Sequence, residues 1–463
     1  MKVSGAPSPP DVQLKGSRAI GAVMVLVAVL CVLEATGSVQ LGGWSELDPE
    51  QPYGVLFAAY LATWLVARRA RGGARRIALL LGSLGTACLF DPWFATGSVA
   101  WVVMFHRVVF AGRRVRPGWG LAFTLATFII LAIACSRDLW PEFLDAHRGL
   151  GRWGYLFAIS YTFRIAWLLH QVRMQRAVLP LLDVVLYFVF APFFVIVPYM
   201  LAIPRCDRFC AGLDGHDPAI EQSGIRLLAW GVVLTSAAVV LHAFYDPHAA
   251  WLDSLRARDA AGIALHSLWS YPVDATLRTC AIAAILVGMV RVMGIELGPS
   301  FQRPLLATSI AEFWRRWNTH FRDLLVELFY VPVVMRLRRT PERAIVVGCI
   351  AVFVVGSTLF HLPKHYFRYG SIYPPNLHIV VENIVMCAIV AIALVREARE
   401  VRARIVRPPP GPLRSALRAI RTWIVLLVVV QYLGYGSQFA VFGERPPIAI
   451  QERTSSHVDS HAR

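Results

Sequence analysis

The sequence predicts an all-α, polytopic integral membrane protein, with about 11 to 13 transmembrane helices plus re-entrant or amphipathic helices around an internal tunnel. Three observations predict it. Of 463 residues, 57% are hydrophobic and 16% charged, with a mean hydropathy of +0.55, far more apolar than a soluble domain of this size. Apolar stretches of spanning length recur along almost the whole chain, and a bilayer core needs roughly 20 apolar residues per helix. The charges gather in the short connections between those stretches.

The candidate spans are 19–40, 53–67, 77–92, 95–111, 119–136, 153–171, 178–203, 225–245, 273–296, 344–362, 377–395 and 420–442. Residues 1–18 are polar with prolines and read as a cytoplasmic tail. The first apolar run lacks a small-residue cleavage pattern and is expected to stay as a span. The organisation that follows is a set of N-terminal transmembrane helices over 19–150, a central core over 151–395, a basic proline-containing cytoplasmic loop over 396–419, a last helix over 420–442 and a polar tail over 443–463. In the basic loop, Arg407-Pro408-Pro409-Pro410-Gly411-Pro412 forms a stiff elbow. The Leu413 to Arg421 stretch after it has an arginine-rich face suited to a membrane surface with anionic lipid.

The formal charge of +17 does not point to nucleic acid, because the arginines belong to no separate soluble module. Arg68, Arg69, Arg71, Arg75 and Arg76 follow the second span; Arg113, Arg114 and Arg116 the fourth; Arg173 and Arg176 the sixth. Arg336, Arg338, Arg339 and Arg343 precede the 344–362 span, and the run from Arg396 to Arg421 precedes the last. The positive-inside rule puts these loops in the cytoplasm, with the N-terminus inside and the C-terminus outside. Loops carrying Glu46, Asp48 and Glu50, then Asp138, Glu142 and Asp145, then Asp207, Asp214, Asp217 and Glu221 are expected on the opposite face. Arginine bias without eukaryotic sorting signals suggests a bacterial inner membrane.

Six of the eight cysteines fall within or at the ends of apolar spans and read as packing. Cys206 and Cys210 share a loop expected outside, where their spacing permits a disulfide without requiring one. A zinc site is less favoured, since only His216 and a few carboxylates lie nearby, and no metal is expected.

Residues 297–343 are too charged for a lipid-facing span. Ser309 followed by Glu312 is a capping-box pattern, so a helix is expected to start there. At helical spacing Phe313, Trp317, Phe321 and Leu324 form one apolar stripe. Such a segment between spans survives only buried in protein or lining a watery cavity.

Ionisable groups among apolar spans are candidates for function. One cluster is Asn318 with Glu312, Arg315, Arg316 and His320. A second is His361, at the end of a strongly apolar run, where a histidine bonded to a backbone carbonyl is the plainer reading from position alone. A third is His378 and Glu382, spaced i to i+4, with Asn383 adjacent.

The run Gly288-Met289-Val290-Arg291-Val292-Met293-Gly294-Ile295-Glu296-Leu297, then Phe301 and Pro304, closing on Glu312-Phe313-Trp314-Arg315-Arg316-Trp317, resembles the membrane-bound O-acyltransferase family. The likeness is to the bacterial branch that acetylates exopolysaccharides such as alginate and D-alanylates teichoic acid. Weaker likenesses lie at Gly154 to Phe163, Tyr187 to Pro192 and Tyr330-Val331-Pro332; His361 stands where the family has its histidine, and His378 resembles a second one. Coverage is roughly residues 150 to 390. The chain departs at Phe360-His361-Leu362, where the family has Trp-His-Gly, and at Asn318, where this branch has histidine and other branches have asparagine. Asp274-Ala275-Thr276-Leu277 stands in place of Asp-Phe-Ser-Gly.

The resemblance implies transfer of an acyl group, acetyl or another short acyl, from a cytoplasmic thioester to a hydroxyl of a polysaccharide, lipid or small molecule. His361 would be the general base, since imidazole titrates near about 6.5. Asn318 would orient the carbonyl or donate to the oxyanion. Arg315, Arg316, Trp317, His378 and Glu382 are the substrate-binding candidates; for the two arginines, structural pairing with Glu312 and Asp323 is the favoured alternative to donor phosphates. The donor would be acyl-CoA or an acyl carrier protein, with no permanently bound cofactor. Partners would be membrane lipid, the hydroxyl acceptor and an extracytoplasmic partner acyltransferase. Two other classes stay open: a catalytically silent scaffold or acyl conduit, and a transporter or flippase of an envelope component. Against transport, no inverted repeat of hydrophobic segments is visible.

Overall fold

The computed structural model describes residues 53–110, 115–134, 148–175, 178–195, 202–215, 217–244, 276–369, 377–404 and 411–427, with short stretches between 250 and 265. The expected span 19–40, both polar tails and the second half of the last span lie outside them. The protein is all-α, and among the described residues there is no strand.

Among the described residues, four helices are long and apolar enough to cross a membrane on length and composition: Gly72–Phe90, Pro117–Ala134, Pro218–Leu241 and Pro341–Pro363. In chain order the first five described helices are α1 (Tyr53–Arg69), α2 (Gly72–Phe90), α3 (Pro92–Val109), α4 (Pro117–Ala134) and α5 (Arg148–Gln175). The turn between α2 and α3 is set by Asp91, which accepts from the Phe94 amide at 2.9 Å, with Pro92 at the first helical position.

The span expected at 178–203 is broken: its described residues hold two short helices, α6 (Leu181–Val189) and α7 (Pro192–Val195), and the chain lies back beside α6 at Pro204, before α8 (Cys206–Asp214) begins. The Arg76 guanidinium binds Asp183 at 2.8 Å and Asp214 at 2.6 Å. A single crossing between those aspartates would separate them by roughly 30 Å. The Tyr187 hydroxyl donates to the Pro204 carbonyl at 2.8 Å, so the return begins within two turns. Phe190-Ala191-Pro192 breaks the helix, because proline lacks the amide and clashes with the preceding turn. The carbonyls so freed lie in an apolar core and need donors. Arg164 of α5, 3% exposed, supplies one: its Nη1 donates to Phe188 O at 2.6 Å, and its guanidinium lies 3.7 Å from the centre of the Phe193 ring. Ser83 accepts from the Ala191 amide at 3.0 Å.

The expected charge alternation is corrected with it. Asp207, Asp214, Asp217 and Glu221 do not sit opposite the arginine loops. Asp214 binds Arg76, Glu221 at the start of α9 (Pro218–Phe244) binds Arg68 at 3.3 Å, and the Asp207 amide donates to Gln171 of α5. Lysine and arginine set topology while carboxylates contribute little, so acidic loops were a poor guide.

The α9 helix runs antiparallel to α10 (Thr276–Val292), backbone against backbone, because glycines face each other. A Cβ on Gly288 would stand 2.9 Å from the Leu228 amide and 3.0 Å from the Gly224 carbonyl. After α10 come a single 3-10 turn at Pro304–Leu306 and two short helices, α11 (Ile310–Arg316) and α12 (Thr319–Leu325). A π-helical turn, Val326–Tyr330, leads into α13 (Val331–Arg336). One continuous helical run then comprises α14 (Pro341–Cys349), a second π-helical stretch (Ile350–Ser357) and α15 (Thr358–Tyr369). The last described helices are α16 (Leu377–Arg402) and α17 (Pro412–Leu427).

Among the described residues two large apolar cores form, with a small third cluster of Ala158 and Phe367 between α5 and α15. The first joins α1–α10; the second joins α11, α12 and α14–α17. Helix α5 serves both, with Leu156 and Tyr161 in the first core and Phe163 and Trp167 in the second.

Single cysteines at Gly72 and Asp214 in a cysteine-free chain are expected to react with an impermeant thiol reagent from the same side of sealed vesicles. Labelling from opposite sides would restore a crossing at 178–203. Gly288→Val is expected to destabilise the protein by about 1–3 kcal/mol, the usual cost of overpacking, read as a lower unfolding midpoint in detergent.

Candidate functional site

The segment that carries the candidate residues enters the bundle on a glycine turn. Gly294 has φ of +84°, and a Cβ there would stand 2.7 Å from Arg75 Nη2. Arg75, 1% exposed, in turn donates to the Met293 and Ala67 carbonyls, capping the ends of α10 and α1 together.

Helix α11 starts where the capping pattern puts it. Ser309 Oγ accepts from the Glu312 amide at 3.1 Å, and the Glu312 carboxylate reaches back to the Thr308 amide at 2.7 Å and hydroxyl at 2.8 Å. Burial pushes the Glu312 carboxyl up, but the two Thr308 bonds, with Arg316 and Arg315, outweigh it and hold it below the usual range. Arg316 binds Glu312 at 2.5 Å and the Arg303 carbonyl at 3.2 Å; Arg315 is exposed and binds Glu397 of α16 at 3.1 Å. Both arginines thus have structural partners. Asp323 pairs with Arg322 instead.

Trp317 lies stacked at 5.1 Å on Phe313 and edge-on to Phe301 at 4.7 Å. Phe313 meets Trp423 of α17, whose indole donates to the Leu305 carbonyl at 3.1 Å. The tryptophans and Phe313 of the six-residue phrase are therefore a clamp between the 3-10 turn, α14–α16 and α17.

Asn318 links α11 to α12 in the left-handed conformation, φ 38° and ψ 62°, which asparagine tolerates better than other non-glycine residues. Its Oδ1 caps α12, accepting from the Phe321 amide at 3.4 Å. The Phe321 ring stands edge-on to His361 of α15, with centres 5.9 Å apart. One residue thus joins Asn318 to His361. His361 is half-buried, one turn beyond Ser357 and Thr358, which both hydrogen-bond Asn383 of α16, at 3.2 and 3.3 Å. Glu382 is half-buried on α16. His378 begins that helix, and its side chain lies outside the described residues.

A polar cavity of about 470 Å³ opens beside α12, lined among others by Trp167, Arg205, Thr319, His320, Arg322 and Glu327. His320 is buried; its Nε2 lies 2.9 Å from the Gly298 carbonyl, and burial pushes the imidazole down to about 4 despite that bond. Arg205 binds Glu327 at 3.0 Å and lies 5.1 Å from the Trp167 ring. The sequence reading missed Glu327, although a carboxylate within Leu324-Leu325-Val326-Glu327-Leu328-Phe329 was a visible signal. Its partner Arg205 lies 122 residues away and gave none.

Cys206 and Cys210 lie one turn apart on α8 as free thiols, sulfurs 4.0 Å apart, on the arginine-bearing face. Among the described residues no group of three or more His, Cys, Asp or Glu is placed to hold a metal ion.

No family model matches the chain. It is 27% identical over 183 residues to probable long-chain-alcohol O-fatty-acyltransferase 2 of Arabidopsis thaliana, covering 38% of this chain and 48% of that one. It is 32% identical over 98 residues to probable long-chain-alcohol O-fatty-acyltransferase 7 of the same plant, covering 20% and 28%. Over 71 residues it is 41% identical to the long-chain-alcohol O-fatty-acyltransferase of Simmondsia chinensis, covering 15% and 20%. The chain spans less than half the length of these relatives, and what it resembles in them is an O-acyltransferase.

Proposed function

We propose that this protein is a membrane-bound O-acyltransferase that moves an acyl group from a thioester, acyl-CoA or an acyl carrier protein, to a hydroxyl. The observation that carries the reading is the meeting of Asn318 and His361 at Phe321, whose amide Asn318 caps and whose ring His361 faces.

His361 takes the proton of the acceptor hydroxyl as its oxygen attacks the thioester carbonyl. Engaging Oδ1 as the helix cap leaves the Asn318 amide nitrogen as the donating end, aimed at the oxyanion of the tetrahedral intermediate. Collapse breaks the carbon–sulfur bond, and the leaving thiolate takes the proton back from the imidazolium. No net proton is released. The donor enters from the arginine-bearing face, which the positive-inside rule assigns to the cytoplasm. Arg205, Arg208 and Arg322 line the polar cavity there, and Thr319 and His320 carry it to the neighbours of Asn318.

The relatives' names favour a fatty acyl donor and a long-chain alcohol acceptor held in the bilayer, a pairing that needs no extracytoplasmic partner. The resemblance of residues 288–317 to polysaccharide acetylases favours a short acyl group and a glycan hydroxyl. Membranes given radiolabelled acetyl or palmitoyl thioester, followed by separation of lipid and glycan, distinguish the two. His361→Ala is expected to abolish label transfer while the protein remains folded, and Asn318→Ala to reduce it about 10²–10³-fold, the usual effect of losing one oxyanion donor. Undiminished transfer by His361→Ala overturns the assignment; no transfer by the wild type with either donor favours the scaffold or transport reading.

A further inference from the structure

An apolar groove of about 990 Å³ lies between α4, α5, the first π-helical turn and α15. It follows α4 from Pro117 to Ala132, roughly 22 Å at 1.5 Å per residue. One end lies at the arginine-bearing face, rimmed by His170 and Arg173 near the end of α5, with Arg116 immediately before Pro117. The other end is closed by Tyr366, whose hydroxyl donates to the Ala132 carbonyl at 2.8 Å, and by Phe367 against Phe128. Its long side is open: Leu121, Leu125, Ile129 and Leu359 are each more than half exposed, as residues facing lipid are.

The groove borders the site above without including Asn318 or His361: Phe360 lines it, with its ring 6.1 Å from that of Phe321. Leu359, Leu362, Pro363, Tyr366 and Phe367 face it at helical spacing, which turns His361 to the opposite side of α15, toward Phe321. Its interior offers no spare polar group along the wall: the hydroxyls of Thr124 and Thr162 donate to the Gly120 and Ala158 carbonyls of their own helices. At the rim, the carboxylate nearest His170, Glu327, is engaged by Arg205. The first-turn amides of α4 add to the positive end. An apolar channel of membrane-leaflet length, open to the bilayer and positive at one end, matches one ligand chemistry: an acyl chain bearing an anionic head.

We propose that this groove binds an anionic phospholipid of the surrounding bilayer, one acyl chain lying along α4 and the phosphate at Arg173. The lipid covers the exposed faces of α4 and α15 and ties together helices of the two apolar cores. The site does not depend on the acyl-transfer reading.

Native mass spectrometry of the full chain, purified in mild detergent after reconstitution with equal phosphatidylglycerol and phosphatidylcholine, tests it. The wild type is expected to retain phosphatidylglycerol through delipidation. Arg173→Gln is expected to reduce its preference over phosphatidylcholine roughly tenfold, the loss of one charge-assisted bond, and Arg173→Lys to restore part of it. Leu125→Trp with Ile129→Trp, filling the groove, is expected to abolish retention of either lipid; should that variant fail to fold, the Arg173 pair carries the test alone. Retention unaffected by Arg173→Gln overturns the proposal. So does retention of an added long-chain alcohol in place of phospholipid, or cross-linking of residues 19–40 to position 125, which would make the groove the seat of that segment. Acyl transfer is measured on the same variants, so loss of lipid and loss of chemistry are read separately.

Discussion

Inside a bilayer every backbone amide and carbonyl must find its partner in the protein, and in this chain that requirement falls most heavily on the buried guanidinium of Arg164. Proline breaks α6 from α7 in the middle of an apolar core. Arg164 fills the gap, donating to Phe188 O while its face covers the Phe193 ring. Without it the freed carbonyls would lie unpaired among aromatic side chains, each costing several kcal/mol. With it the chain can turn back, and the turn brings Asp183 and Asp214 onto one arginine, Arg76. That return places α8 against α2 and α5, and positions Arg205 to hold Glu327 at the edge of the polar cavity. A second irregular segment, 297–330, obeys the same rule by different means: Asn318 and Ser309 cap its short helices, Glu312 ties its entry, and Trp423 donates to its 3-10 turn.

The candidate site inherits its geometry from these constraints. Asn318 occupies a left-handed position and caps α12, two structural demands that asparagine meets and most residues do not. Fixing one end of its amide leaves the other oriented. Arg315 and Arg316, by contrast, are occupied: Arg315 holds α11 against Glu397 of α16, and Arg316 ties Glu312 to the Arg303 carbonyl before the 3-10 turn. Two π-helical stretches flank His361 on the segments before it and beside it; such bulges place side chains off the regular helical register and recur at functional sites.

The sequence made the class of fold, the α11 capping and the pairing of Arg316 with Glu312 readable, because each depends on local spacing, whereas Arg315 binds Glu397, 82 residues away, and the expected partner Asp323 binds Arg322. Ser309 and Glu312 lie three residues apart, and Arg316 lies one turn beyond Glu312. The turn-back at 178–203 was not readable in that way. Its residues are as apolar as a true span, and Arg164, which satisfies the carbonyl freed by its proline break, lies on another helix. The same holds for the pairs Arg205 with Glu327 and Arg76 with Asp214, whose partners are more than a hundred residues apart. Hydropathy counts what a stretch contains, whereas a crossing also depends on whether a donor elsewhere satisfies its break. His361 and Asn318 stand out as polar groups among apolar spans and take their roles from family resemblance; that they share Phe321 is a tertiary fact no spacing encodes.

The irregular segment 297–330 carries Asn318 and Phe321 to the helix of His361, and the site stands or falls with that placement. The most direct measurement is cross-linking by a short bifunctional thiol reagent in a cysteine-free chain bearing Phe321→Cys and His361→Cys, with Ser357→Cys and Asn383→Cys as the reference pair. Efficient cross-linking of 321 to 361, comparable to the reference, is what this geometry requires. Cross-linking of the reference pair alone would place the segment elsewhere and remove the basis for the site.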